Sequence, residues 1–473
     1  MKSEFIVEKI GGTSMTEFAK VLKHIFNQQH HKVKSPYAPY GRVVIVSAYG
    51  GVTDLLLENK KTRAPGLYSY FLKRQHIALQ QNKLFNHLKA INKKFEGIGL
   101  PLAKANAFIE QRIDELFRTL DDLTSVWATG YIIKENILLA AREMLASIGE
   151  VHAAYNTVLI LKHYDYNAKF VDLSGIHDHR AKTIDWRIND AFKKLDLKTS
   201  LPIVTGYVKG TEGIMREFNR GYSEMTLAKI ATRINAAKAI IYKEFHLSSA
   251  DPKTVGANVA VPVGKTNYDV AGQLADVGME AIHPSVAKIL EAQNITLHIR
   301  NTFQPHHDGT VITKHYKGTK AKIEIIAGTR YVSLIEIHDP NMVGSVGFDY
   351  TVGAIFKEFQ VSYVLKSTNA NSISHIVWDK DISKPLIRHL TKSFYQITTH
   401  KVAIVSIIGT NIAIPGIMAR AATALSRSNI NILCMSQSFR QVNMQFVIER
   451  PLYTTAIKTL HDDLIINYQN SSK

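Results

Sequence analysis

One cysteine, Cys434, stands in 473 residues. A lone thiol cannot build a disulfide framework within one chain, and it fits a reducing cytoplasm. No run of about 18 uncharged apolar residues occurs, so no membrane span is expected. The opening "MKSEF" places Glu4 ahead of a strand-like run, unlike a signal peptide. The pattern GxxxxGK followed by Ser or Thr is absent, which excludes a Walker A loop. The 20 histidines contain no HExxH spacing, and no zinc site is expected. Acidic residues are scarce, 40 against 58 lysines and arginines, giving a formal charge of +18. Long basic blocks are missing too. The local clusters are Lys60, Lys61 and Arg63, and Lys89, Lys93 and Lys94. The excess is therefore read as attraction for anionic substrates, with no nucleic-acid partner and no membrane partner expected.

What remains is an ordinary globular composition, 45% hydrophobic and 21% charged, in a chain long enough for two or three domains. Nearly continuous apolar runs at 5–9 and 42–48 read as strands covered on both faces. Leu84, Leu88, Ile91 and Phe95 repeat at helical spacing, as do Ile109, Ile113, Leu116, Leu120 and Leu123. A helix over 135–150 follows. Strands are expected at 168–175, 201–208, 237–245 and 295–302. Strands alternating with helices predict an α/β fold with a mostly parallel sheet sandwiched by helices over 1–312. Beyond 312 the pattern changes to two α+β units, 320–395 and 400–473, an internal repeat of roughly 70 residues. Pro415 is expected in the first turn of a helix.

The polar loops fall where strands end. "FIVEKIGGTSM" (5–15) ends an apolar run in Lys9 and then gives Gly11, Gly12 and Ser14. Glycines let backbone N–H groups approach phosphate oxygens, and a lysine supplies a point charge. "SAYGGVTD" (47–54) repeats the arrangement with Ser47 and Thr53. "REFNRGYSEMT" (216–226) offers Arg220, able to grip a carboxylate with two parallel N–H bonds, then Ser223 and Glu224 at the start of a helix. In α/β sheets such loops beyond the carboxyl ends of strands are where ligands bind.

"VEKIGGTSM", "SAYGGVTD", "SIGE", "NRGYSEMT", "SSADPK", "VGMEAIHP" and "IRNTFQP" occur in an order and spacing that resemble the aspartate kinases. The C-terminal repeats resemble their paired ACT domains. The wording of "RGYSEMT" and "HLSSADPK" resembles the ectoine-associated subset. The resemblance implies an amino acid kinase fold and a homodimer formed through the ACT-like domains. It implies phosphorylation of the side-chain carboxylate of L-aspartate, with ATP as donor and Mg²⁺ carried by ATP. Lys9 would stabilise the phosphoryl group in transfer, and Glu224 would orient Lys9. Gly11, Gly12 and Ser14 would line the phosphate path, and Lys253 would reach the nucleotide. Ser47 and Thr53 would contact the substrate region, Glu150 the amino group, and Arg220 a substrate carboxylate with Ser223 beside it. In the ACT region, Met342, Ser345, Phe348 and Asp349 would meet an amino-acid effector. The rival readings are a kinase of another carboxylate amino acid, such as glutamate, and an amino-acid sensor without catalysis.

The chain also departs from the family pattern. Tyr222 is expected to add bulk beside the substrate, and Glu224 stands where Asp is usual. Residues 242–246, Tyr-Lys-Glu-Phe-His, replace the usual Thr-Asp-Val-Asp-Gly segment at the nucleotide. Glu280 stands where a lysine is frequent, and its charge near a triphosphate costs about 1 kcal/mol even in high dielectric. Lys209, Lys243 and Lys265 are the candidates to offset it. Cys434, in an apolar strand, is expected to be buried and inert.

Overall fold

The computed structural model describes residues 3–467 except 28–35, 60, 61, 63, 74–76, 177, 179, 219, 220, 280, 281, 320 and 321. The chain divides into two compact units, Met1–His246 with Lys288–Val311, and Leu247–Ala287 with Ile312–Lys473.

In the first unit, β1 (Ile6–Ile10), β2 (Arg42–Val46), β3 (Ala168–Val171), β4 (Leu201–Thr205), β5 (Lys238–Lys243) and β6 (Thr296–Asn301) lie in the order β3-β4-β2-β1-β5-β6. Every registered pair among them is parallel. Strands β1, β2 and β4 are buried at every position, which explains their unbroken apolar runs. The order places β1 centrally. The chain leaves it toward β2, β4 and β3, then returns to its other side through β5 and β6. A crevice beyond the carboxyl end of β1 follows from that reversal.

Two charges interrupt β1, and alternation sends them to opposite faces. Glu8 is fully buried and pairs with Arg42, whose Nε donates to Glu8 Oε2 at 3.0 Å. Lys9 turns to the other face. The helix Tyr222–Arg233 packs on β1, β2 and β5 and supplies its partner.

The helix expected at 135–150 runs from Lys134 to His163. It passes through Gly149, which lies against Ala48 and Val52. Glu150 is therefore in mid-helix and buried. By length and apolarity this helix could cross a membrane, but 83% of its most apolar window is buried inside the protein.

In the second unit, β7 (Ile325–His338), β8 (Tyr363–Thr368), β9 (Ser372–Trp378), β10 (Gln396–Ile408), β11 (Cys434–Gln437) and β12 (Asn443–Glu449) form one sheet in the order β8-β9-β7-β10-β12-β11. The two repeats are thus not separate sheets. Strands β7 and β10 are long and pair antiparallel, with a bulge between Val402 and Ile404. Residues 332–338 and 396–401 lie beside the strands of the first repeat, and 325–329 and 404–408 beside those of the second. The helices Phe348–Glu358 and Lys384–Ser393 cover one core, built on Ile335, Ile337, Phe356, Val377 and Leu390. The helices Ile417–Arg427 and Tyr453–His461 cover the other, built on Ile407, Leu425, Phe446 and Leu460. Pro415 precedes that third helix instead of starting it. Gly416, at φ +91, is the N-cap, and the helix begins at Ile417.

Residues 247–287 pack with the second repeat. Ala250 joins its core, Ile326 N donates to Ser249 O at 2.7 Å, and Ser249 Oγ lies 2.8 Å from His461 Nε2. Thr266 Oγ1 donates to Glu324 Oε2 at 2.8 Å. Cys434 is half-buried, less enclosed than expected. Desolvation and the nearby Glu336 push its thiol up to about 11, so it stays protonated at neutral pH.

Candidate active site

The strand ends of the first unit gather four groups from distant parts of the chain. Lys9, at the end of β1, lies 3.9 Å from Glu224 Oε1, in the first turn of the helix Tyr222–Arg233. Lys243, at the end of β5, lies 3.5 Å from the same oxygen. Both spacings exceed those of tight charge-assisted hydrogen bonds, so the carboxylate holds the two amines loosely. Burial lowers the Lys9 pKa from the usual lysine value. Glu224 opposes that fall, Lys243 adds to it, and Glu150 opposes it.

Glu150 enters from the long helix. Burial raises its pKa well above the usual carboxylate value. Lys9 and backbone N–H bonds from Tyr207 and Ala48 oppose that rise. Among the described residues its Oε2 has no hydrogen-bond partner. A buried carboxylate oxygen left open in this way is costly unless a cationic ligand meets it. Nearby, Ser47 Oγ and Ser223 Oγ lie 3.1 Å apart, joining residues 176 apart in sequence. Gly206 makes this corner possible. A Cβ there would come within 2.6 Å of Ser223 Cβ and 2.7 Å of Glu150 Oε1.

The Gly11–Gly12 turn is engaged in packing as well. Gly11 N donates to Tyr242 O at 3.0 Å, and a Cβ on Gly12 would come within 2.7 Å of Ala48 O. Ser14 is buried, with its hydroxyl 2.7 Å from Thr302 Oγ1 at the end of β6. Thr53 sits in the first turn of the helix Val52–Leu56. Tyr222 is buried against Tyr207, and its hydroxyl donates to Ala146 O at 3.3 Å. Its bulk packs on Tyr207 and on the long helix, one turn from Glu150.

Arg220 and Glu280 lie outside the described residues. Lys253 is exposed on the short helix Pro252–Val255 and belongs to the second unit, as does Lys265. Lys209 donates to the carbonyls of Gly175 and Asp178, at 3.1 and 3.2 Å. Of the three lysines weighed against Glu280, only Lys243 shares the Lys9 carboxylate. The β1–β5 register, which only the folded sheet shows, brings the two strand ends together. The sequence reading also passed over Glu143. That carboxylate accepts from Tyr207 Oη at 2.5 Å and Met215 N at 2.7 Å, tying the 207–215 loop to the long helix.

In the second unit, Met342 ends a short 3-10 turn, Ser345 N donates to Met342 O, and Phe348 opens a helix. Asp349 pairs with Lys366 at 2.5 Å. It lines a hollow of about 450 Å³ with Phe356, Tyr363, Lys366 and His375. Met342, Ser345 and Phe348 are not part of that lining. Burial, with Lys366 adding to the fall and Asp349 opposing it, drives His375 down to about 4 and leaves it neutral.

The site combines a buried amine, a two-lysine carboxylate and an open buried carboxylate at the carboxyl ends of parallel strands. That is a setting for bringing anions together and fixing an ammonium. A model of the amino acid kinase family matches residues 4–301, and an ACT domain model matches 405–464. Aspartate kinase Ask_Ect of Stutzerimonas stutzeri (strain A1501) is 41% identical over 97% of this chain and 97% of its own. Lysine-sensitive aspartokinase 3 of Escherichia coli (strain K12) is 23% identical over 98% and 99%. E. coli aspartokinase III, solved in complex with aspartate and ADP, shares the fold with a TM-score of 0.74 at 19% identity. The match covers 97% of this chain and 99% of that one. The chain belongs to the amino acid kinase family, and within it to the aspartate kinases.

Proposed function

We propose that this protein transfers the γ-phosphoryl group of ATP to the side-chain carboxylate of L-aspartate, giving L-aspartyl 4-phosphate. This is the first step of the aspartate amino-acid pathway, here feeding ectoine synthesis. The observation that carries the reading is the Lys9–Glu224–Lys243 cluster with the open Glu150 oxygen beside it.

The acceptor carboxylate is already ionised, so no general base is required. Its oxygen attacks the γ-phosphorus, the bond to the β-bridging oxygen breaks, and ADP leaves with that electron pair. Lys9 meets the charge on the transferring group, and Glu224 holds the amine in place. Glu150 takes the substrate ammonium with its open oxygen, and Arg220 takes the α-carboxylate. Ser47, Thr53 and Ser223 supply hydroxyls to the amino-acid side. Gly11, Gly12 and Ser14 shape the phosphate path, with Lys253 contacting the nucleotide. Among the described residues no group of three or more His, Cys, Asp or Glu side chains could hold a metal. Mg²⁺ would arrive with the ATP phosphates and would offset their charge during transfer.

The three-part division 1–312, 320–395 and 400–473 is proposed as the functional one. The family model supports it by including 247–287 in the kinase region. The chain is read as a cytoplasmic homodimer through its ACT-like domains. An amino-acid effector would bind near Met342, Ser345, Phe348 and Asp349. A hydroxamate assay with ATP and Mg²⁺ tests the activity. Acyl phosphate should form with aspartate and not with glutamate; no product with aspartate would remove the kinase reading.

A further inference from the structure

The second amine on Glu224 has no part in the transfer described above. Lys243 stands at the carboxyl end of β5, one strand over from Lys9. In the β1–β5 register Lys9 faces Ile241. Residues 241 and 243 share a face, so the Lys243 side chain leaves the sheet on the same side as Lys9. Its side chain is 31% exposed, whereas those of Lys9 and Glu224 are 9% and 10% exposed. Of the two amine-bearing side chains, that of Lys243 is therefore the more open to solvent.

The strand order separates two sides of this cluster. Ser47, Gly206 and the Ser223–Glu150 corner lie beyond β2 and β4. Lys243 lies beyond β5, across β1 from them. Two like charges converging on one carboxylate repel each other until an anion joins them. We propose that Lys243 is a second phosphate-binding cation, which grips the nucleoside triphosphate on the β5 side while Lys9 serves the phosphoryl group in transfer. Glu224 is their shared counter-ion and spacer. In a chain whose 242–246 segment departs from the family pattern, a lysine here supplies the phosphate contact by charge. The proposal rests on the kinase reading and names how that site holds its donor.

The test uses the full chain with Lys243→Met and Lys243→Arg. Binding of the magnesium complex of a non-hydrolysable ATP analogue is measured by calorimetry, beside steady-state kinetics for both substrates. Lys243→Met should weaken analogue binding and raise KM for ATP by about tenfold or more, the loss of one close charge contact. KM for aspartate should change by less than about twofold, because the other side of the cluster is intact. Lys243→Arg should recover most of the affinity. Removing a cationic neighbour also makes Lys9 easier to protonate, so the alkaline limb of kcat should move to higher pH in Lys243→Met. Thermal melting checks that each variant is folded. Unchanged analogue affinity in folded Lys243→Met, with the wild type active, overturns the assignment. A wild type that binds no analogue and forms no acyl phosphate overturns the kinase reading itself.

Discussion

Replacing Lys9 by methionine keeps the length of the side chain and removes its charge. At about 4 Å and an effective dielectric of about 20, a unit charge is worth about 4 kcal/mol to an anion. At about 1.4 kcal/mol per factor of ten, kcat should fall by about three orders of magnitude. The fold should survive. Glu224 keeps Lys243 at 3.5 Å, so no carboxylate is stranded there. The desolvation cost of a buried ammonium also disappears. Glu150 loses the cation that restrains its pKa, and its protonation should move to still higher pH. In Lys9→Met, kcat/KM for aspartate should therefore begin to fall at a higher pH on the acid side than in the wild type. ADP release and hydroxamate formation report the rate, and differential scanning fluorimetry reports the fold. A folded Lys9→Met enzyme with kcat within tenfold of the wild type would refute the charge argument.

Further outcomes are expected. Glu150 has a folded-state pKa raised above its unfolded value, so its contribution to stability is present at low pH and lost as pH rises through the folded value. Glu150→Gln should accordingly raise Tm at pH 8 by a few degrees while abolishing aspartate binding; a lowered Tm would contradict the burial argument. In the wild type, kcat/KM for aspartate should decline on the acid side above the ordinary carboxylate range, a limb that a pH–rate profile would locate. Gly206→Ala forces a methyl into Ser223 and Glu150 and should cost about 1–3 kcal/mol of stability together with aspartate affinity, read by urea denaturation and calorimetry. Glu8→Gln breaks a fully buried pair with Arg42 and should destabilise by about 3–5 kcal/mol, lowering Tm without changing KM for either substrate.

Much of the architecture was written in local pattern. Unbroken apolar runs mark β1, β2 and β4 because strands covered on both faces have no polar side to show. The Lys9–Gly11–Gly12 loop was legible because a charge and two glycines follow such a run, although the fold shows both glycines serving packing as well. Glu150 was chosen by its motif, yet the reason it matters is invisible in sequence. Its burial and its open oxygen depend on a helix that continues to His163 and on Gly206 arriving from a strand more than 50 residues away. The same holds for Ser47 and Ser223, and for Tyr222, whose hydroxyl tertiary packing fixes on Ala146 of the long helix.

By itself the sequence determined which segments become strands and helices, where the glycine-containing strand-end loops lie, and that two related units follow a parallel α/β region. Those properties depend on residues within a few positions of one another. Tertiary structure alone decided that the two repeats share long strands, that 247–287 packs with the second of them, and that Lys243 joins Lys9 on one carboxylate. Each of these is a contact between segments far apart in the chain, selected by strand order and burial, and no short-range pattern encodes it.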